Sequence, residues 1–464
     1  MKNRHIAVVL ALAGHALLAC SAWAQEPLPL DRYGGLTTIP FEATGFFRTH
    51  HDGERWWLVS PEGNAFLSFG ICCISSSHDK ERGTNRDYYN ESVVKKRGSA
   101  EKWKEVTLDR LKAWGVNTLG GWSSEELRDT LPYTVVLSVG ASMWRPGAVP
   151  DFFSREFEQH AAAQARSAAA QVNDPYLLGY FLANELPWLA DHRMYPDLFS
   201  GYVAMPADAP GKKQLVRFFR ERYANEDEFG KVWRIDPDDW AALAEVGALA
   251  ARDEKTARTD RDAFVLLAAR QYFRIATDAV RALDTNHLIM GCRFIWQTAP
   301  RSVVQACGEY CDVVSTNCYE TGPLGRILLA GANPGVTRMP GDRYALTRFG
   351  ELTGKPILIT EFSFRAHDSG CVNSFPPASI VGPIAATQRE RADKFERFAT
   401  RWIAQPCFVG YHWFQYMDQP SGGRFDGEDS NFGVVDITDE PHEDFVARLA
   451  EVNWQAWRLH QGAK

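Results

Sequence analysis

Tyr176-Leu-Leu-Gly-Tyr-Phe-Leu-Ala-Asn-Glu185 is a nearly unbroken apolar and aromatic run that stops on an amide and a carboxylate. Without polar alternation, a run this short reads as a strand buried on both faces, the pattern of a parallel sheet. Its end carries the information. A desolvated carboxylate is costly unless it is paired or put to use. Glu185 therefore either reaches solvent past the strand or belongs to a site.

Seven more runs of the same kind flank this one. Three precede it: Ala65–Cys73, Val116–Trp122 and Thr134–Gly140. Four follow: His287–Phe294, Val313–Tyr319, Lys355–Glu361 and Phe408–Tyr416. Helical patterns fall between them at Lys102–Trp114, Ser124–Leu131, Ser154–Gln171, Asp260–Leu283 and Thr387–Ile403, and a last one closes the chain at Glu440–Gln461. Lys212–Leu249 reads as a helical insertion and Ser75–Ala100 as a polar loop. Eight short buried strands alternating with helices predict an α/β fold, a (β/α)8 TIM barrel with helical insertions, over residues 65–464. No Gly-x-Gly-x-x-Gly follows the first strand, which argues against a dinucleotide-binding sheet. Ahead of the barrel, Gln25–Pro40 reads as a connector. His51-Asp-Gly-Glu54 reads as the turn of a hairpin between Gly45–His50 and Arg55–Ser60, so residues 25–64 form a short N-terminal segment.

Residues 1–24 read as an export signal. Lys2 and Arg4 precede the apolar run Ile6–Ala19, and Ala22-Trp-Ala24 offers a small-x-small cleavage site. Cleavage before Cys20, in Leu17-Leu-Ala-Cys20, would instead leave a lipid-anchored protein. Both predict a periplasmic or extracellular location. No other stretch reaches the ~18 uninterrupted apolar residues of a membrane span. The 464 residues are 45% hydrophobic with a net charge of −7, an ordinary globular balance without the basic patch that nucleic acid requires. Export permits disulfides, with Cys307 and Cys311 spaced for a local bridge. No cysteine or histidine spacing suits zinc, so neither metal nor cofactor is expected.

Barrel enzymes gather their chemistry at the carboxyl ends of the strands. Those ends supply Trp122, Asn184, Glu185, Arg293, Asn317, Tyr319, Glu361, His412, Trp413 and Gln415. Glu185 ends the fourth strand and Glu361 the seventh, three strands apart and able to face each other across the mouth. Two such carboxyl groups, roughly 5–5.5 Å apart, are the requirement of retaining glycoside hydrolysis. Glu185, in an aromatic neighbourhood, suits the acid/base, which must hold its proton near neutral pH. Beside it, the Asn184 amide suits a sugar 2-hydroxyl. Glu361 suits the nucleophile, with the Tyr319 phenol orienting it. Asn317, Trp122, Trp413, His412, Gln415 and Arg293 are further candidates for binding a poly- or oligosaccharide, although core packing explains any one Trp and alternation along the eighth strand must turn some of these residues outward. The acidic loop Asp418–Asn431 lacks the spacing of a calcium loop and reads as substrate-lining or plain solvated loop.

This combination resembles the clan A retaining glycoside hydrolases. More narrowly, Arg55-Trp-Trp-Leu-Val-Ser-Pro-Glu-Gly-Asn-Ala-Phe-Leu-Ser-Phe-Gly70, Gly179-Tyr-Phe-Leu-Ala-Asn-Glu-Leu-Pro-Trp188, His412-Trp-Phe-Gln-Tyr-Met-Asp-Gln-Pro420 and Gly423-Arg-Phe-Asp-Gly-Glu428 resemble the family 50 β-agarases. The likeness spans residues 45–450. It implies Glu185 as acid/base, Glu361 as nucleophile and a β-galactoside-type linkage as target. The short segment before the barrel departs from that family's usual sugar-binding-type N-terminal domain. A β-galactosidase or β-glucanase of the same clan is the alternative, as is a non-catalytic carbohydrate-binding protein, which would be expected to lack one Glu. A lyase or aldolase would want a Lys at a strand tip, and no strand here ends on one.

Overall fold

In the computed structural model the described residues are 28–462, apart from 78, 191–193, 236–238, 296–297 and 326–344. The export signal and Cys20 lie outside them. Four short strands, β1 (Leu36–Pro40), β2 (Arg48–His51), β3 (Trp56–Val59) and β4 (Asn64–Phe66), form an antiparallel sheet in the order β1-β4-β3-β2. The expected hairpin is β2–β3, with Thr49 opposite Leu58. Asp52 closes its turn by accepting the backbone N–H groups of Glu54 (2.8 Å) and Arg55 (2.7 Å). The segment expected to be a connector contributes β1. The run Ala65–Cys73 divides at Leu67 between this small sheet and the large one.

Then come β5 (Ser68–Ile71), β6 (Thr118–Leu119), β7 (Tyr133–Val136) and β8 (Leu177–Phe181). A two-stranded ribbon in the insertion, β9 (Trp233–Arg234) and β10 (Ala250–Ala251), precedes β11 (Leu288–Ile289), β12 (Phe294–Ile295), β13 (Val314–Asn317), β14 (Ile357–Glu361) and β15 (Phe408–Trp413). The large sheet has nine parallel strands in the order β11-β8-β7-β6-β5-β15-β14-β13-β12. All eight expected runs are present, in chain order around the sheet. The fifth is split: β11 and β12 both come from it and stand at opposite edges, so the sheet curls until one segment serves both sides. Between them Met290 N donates to Tyr180 O (2.8 Å), Leu182 N donates to Gly291 O (2.8 Å), and Arg293 N donates to Ser315 Oγ (2.8 Å). Gly291 (φ 71°) and Arg293 (φ 49°) adopt left-handed backbone, which breaks a continuous ladder here.

Two helical expectations need correction. Ser124–Leu131 forms only a 3-10 turn, Glu125–Leu127. The polar loop Ser75–Ala100 holds a helix, Tyr88–Arg97, capped by Asp87, with Glu91 in its first turn and Lys95, Lys96 and Arg97 in its last. Only Tyr89 and Val93 of that helix are buried, so it shows no apolar stripe to read. The eight described cysteines are free thiols. Cys307 and Cys311 are therefore unbridged: both are buried, and Cys311 N donates to Cys307 O (2.8 Å) at the end of helix Arg301–Tyr310.

The small sheet has a positional role. Tyr33, Phe47, Leu58 and Phe66 share one buried cluster with Leu178, Leu288, Val313, Leu358 and Val409, which lie at or next to the amino-terminal ends of the large sheet's strands, and with Phe181 and Met290 farther along. That end is thereby plugged with apolar side chains, leaving the carboxyl ends as the face for chemistry.

Candidate active site

Glu361 is the last residue of β14 and is nearly buried, at 5% exposure. The Tyr319 hydroxyl donates to its Oε2 (2.8 Å) and an Arg293 guanidinium nitrogen sits 3.0 Å from its Oε1, so both oxygens are held. Burial, and then the charge of Glu361, push the Tyr319 phenol well above its usual range, which keeps it a neutral donor.

Glu185 lies four residues past the end of β8, half-buried, with φ at 51°. Its Oε1 accepts from the Asn317 side-chain amide (2.8 Å). The orientation of that amide follows from its other end, where Oδ1 accepts the Thr360 hydroxyl (2.8 Å). Asn317 also donates to Asn184 Oδ1 (3.2 Å), which accepts from Arg293 as well (3.0 Å). The two carboxylates are thus tied into one network, Glu185–Asn317–Asn184–Arg293–Glu361. Arg293 is its centre. Fully buried, it donates to Thr360 O (3.0 Å) and stacks 4.3 Å from the Trp122 ring centroid and 5.4 Å from that of Phe181. Trp122 presents the opposite behaviour, 42% exposed at the mouth.

Left-handed backbone recurs around this rim, at Cys73, Trp122, Ser138, Glu185 and Arg293, which follow β5, β6, β7, β8 and β11 respectively. For residues with a Cβ this conformation costs roughly 1–3 kcal/mol each, and it concentrates where side chains must be re-aimed. Here it re-aims a side chain just past each of these five strands, out of the strand's alternation.

The eighth run is placed differently from expectation. Trp413, expected to bind sugar, is fully buried in the core: its indole N–H donates to Phe432 O (2.8 Å) and its ring packs against Phe362, Phe395 and Phe445. His412, its neighbour, points the other way and lies inside the curled sheet, with Nε2 2.9 Å from Ser68 Oγ. A Cβ on Gly70 would come 2.5 Å from the His412 ring, so glycine there makes the room. Burial, followed by the charge of Arg293, holds His412 down at about 3, a neutral imidazole beneath the site. Gln415 is also fully buried and donates to Asp79 Oδ2 (2.7 Å) and Met417 O (2.9 Å). These three residues support the site from below or behind.

Three more tryptophans flank apolar runs and are open to the same sugar-binding reading: Trp144 and Trp188 are core, with ring centroids 6.2 Å apart, and Trp296 lies outside the described residues. Thr360 was missed from the sequence. Its only signal was its place next to Glu361 at a strand end. Among the described residues no cluster of three metal-ligating side chains forms, and no helix is long and apolar enough to cross a membrane.

A parallel α/β sheet plugged at one end, with two carboxylates in one hydrogen-bonded network at the other, defines an α/β protein with a two-carboxylate site. The chain is homologous to β-agarases. It is 27% identical over 503 residues to Beta-agarase B of Vibrio sp. (strain JT0107), covering 92% of this chain and 50% of that relative. To Beta-agarase A of the same strain it is 30% identical over 469 residues, covering 87% and 44%. The chain therefore spans about half the length of the curated relatives it matches. A solved structure of an exo-beta-agarase superposes with a TM-score of 0.79 at 26% identity, covering 94% of this chain and 68% of that one. No protein-family model matches the chain.

Proposed function

We propose that this protein is a retaining glycoside hydrolase of the clan A type, acting on a β-linked, agarose-like glycan, with a closed (β/α)8 barrel over residues 65–464 as its catalytic unit. The observation that carries the reading is the network joining Glu185 to Glu361 through Asn317, Asn184 and Arg293. The agarase names of the relatives supply the substrate class.

In the first step Glu361 attacks the anomeric carbon while Glu185 gives its proton to the departing glycosidic oxygen, leaving a glycosyl ester on Glu361. In the second, Glu185 takes a proton from water, the hydroxide oxygen bonds to the anomeric carbon and the Glu361 carboxylate leaves. Arg293 and Tyr319 keep the nucleophile aimed and ionised. Asn317 positions the acid/base, while Asn184, anchored to both Arg293 and Asn317, is placed for the sugar 2-hydroxyl. A leader over residues 1–24 would deliver the enzyme outside the cytoplasm, where polymeric glycans are met.

Product stereochemistry tests the mechanism. NMR of the first product from agarose should show retained configuration, and an inverted product would sink the double displacement. Glu361→Ala should nearly abolish turnover while the protein still unfolds cooperatively. With added azide it should release a glycosyl azide of inverted configuration, whereas rescue with retention would move the nucleophile to Glu185. Release of sugar from β-galactosides or β-glucans, but not agarose, would favour the alternative substrates.

A further inference from the structure

The loop Gln419–Ser430, which follows β15, carries a third carboxylate towards Glu361. Its hub is Arg424, whose guanidinium carbon lies 5.5 Å from the Phe414 ring centroid. Phe414 in turn lies 6.4 Å from the ring of Tyr319, the donor to Glu361. Arg424 meets three acids: Asp426 (2.9 Å), Glu428 (2.7 Å) and, more distantly, Asp79 (3.8 Å). A structural ion pair needs one acid, so this group keeps an excess of negative charge beside a site that already holds two carboxylates.

Glu428 is held by one end. Its Oε2 faces Arg424 and accepts from the Gln419 side-chain amide (2.7 Å). Among the described residues its Oε1 accepts no hydrogen bond, and the side chain keeps 20% of its exposure. The loop behind it is tight: Arg424 N donates to Glu428 O (2.9 Å), Gly427 N donates to Arg424 O (2.9 Å), and Gly423 (φ 79°) and Gly427 (φ 94°) make the turns. Burial pushes Glu428 up to about 6, with Arg424 pulling it back and the charges of Asp426 and Glu361 adding to the rise, which places it within electrostatic reach of Glu361. Phe425, midway between these glycines, presents an apolar ring at 80% exposure on the same loop.

A carboxylate fixed through one oxygen, with the other open, is an acceptor waiting for a donor that none of the described residues provides. Sugar hydroxyls are such donors. We propose that Glu428 is a substrate-binding residue whose Oε1 accepts hydrogen bonds from hydroxyls of the sugar ring seated on Glu361. The inference rests on the glycoside hydrolase reading above and adds a specificity-determining contact to it.

The test uses the full-length chain made inactive by Glu361→Gln, so that binding is measured without turnover. Calorimetric titration with a hexasaccharide cut from agarose should show the Glu361→Gln/Glu428→Gln protein binding about tenfold or more weakly than Glu361→Gln alone. Repeating it with monodeoxy analogues separates contact from loop repair, because the penalty should vanish for the analogue lacking the contacted hydroxyl. Equal affinity of the two proteins, or a penalty unchanged across every analogue, overturns the proposal and leaves the hydrolase reading standing. No binding by Glu361→Gln, together with no sugar release by the wild-type chain, overturns the hydrolase reading and the contact with it.

Discussion

Replacing Tyr319 by Phe removes one atom from the site and isolates one interaction. The lost contact is the 2.8 Å hydrogen bond from the phenol to Glu361 Oε2. Arg293 remains 3.0 Å from Oε1, so the carboxylate keeps its charge partner but is held at one oxygen instead of two. A hydrogen bond to a charged group contributes about 1.5–3 kcal/mol, which is roughly a 10- to 150-fold factor if it acts wholly on the glycosylation transition state. We therefore expect kcat/KM of Tyr319→Phe on agarose to fall by about 10- to 100-fold, with the unfolding midpoint in urea nearly unchanged because the ring is retained. The assay is the initial rate of reducing-end release, read with a double-mutant cycle against Glu361→Ala. If Tyr319 acts through Glu361, its substitution has no further effect once that carboxylate is gone. A Tyr319→Phe rate within twofold of wild type, or an equal loss in the Glu361→Ala background, would refute the argument.

Arg293→Met should be far harsher, destabilising the fold by about 3–5 kcal/mol in urea unfolding, since it strands a nearly buried carboxylate without its cation. A normally stable Arg293→Met protein would show that the pair is not what holds the two ends of the network. Trp413→Ala should cost about 3–5 kcal/mol of stability while the KM of the folded protein stays within about twofold of wild type, because the ring is core. A KM raised tenfold would restore it to the binding surface. Asp284 is buried, which by itself raises its pKa, yet hydrogen bonds from His287, Tyr180 and the Asn286 N–H hold it down at about 2. A depressed carboxylate stabilises the fold above its unfolded value near 3.8, and that share is lost as pH falls from there to about 2. Asp284→Asn should accordingly lose about 2 kcal/mol at pH 7 and flatten the stability profile below pH 4, whereas a profile unchanged by the substitution would remove Asp284 from the account.

Legibility followed burial asymmetry. Glu185 and Glu361 stand out because each ends an apolar run, and a charge at such a place is conspicuous in one dimension. Tyr319 and Asn317 share that position on the sixth run. Along Phe408–Tyr416 the same logic fails: all six residues of β15 are buried, so nothing polar marks which face each side chain takes. His412 and Trp413 are thus both candidates from sequence, and alternation sends one inside the sheet and the other into the outer core. The helix Tyr88–Arg97 was hidden for the converse reason, too few buried positions to make a stripe. Glu428 lay in a loop whose acids look alike until the partners of Arg424 are known.

By itself the sequence determined the order of the eight runs, the curled parallel sheet's chain of strands and the two carboxylates at strand ends, because apolar periodicity and its interruption are local properties. Only the tertiary structure decided that Arg293 holds Glu361 directly and Glu185 through Asn184 and Asn317, that Trp413 is core, and that one oxygen of Glu428 is open. Each of these depends on which side chains from distant segments meet in space: Arg293 reaches Glu361 across 68 positions of chain and Asn184 across 109, distances that no local pattern encodes.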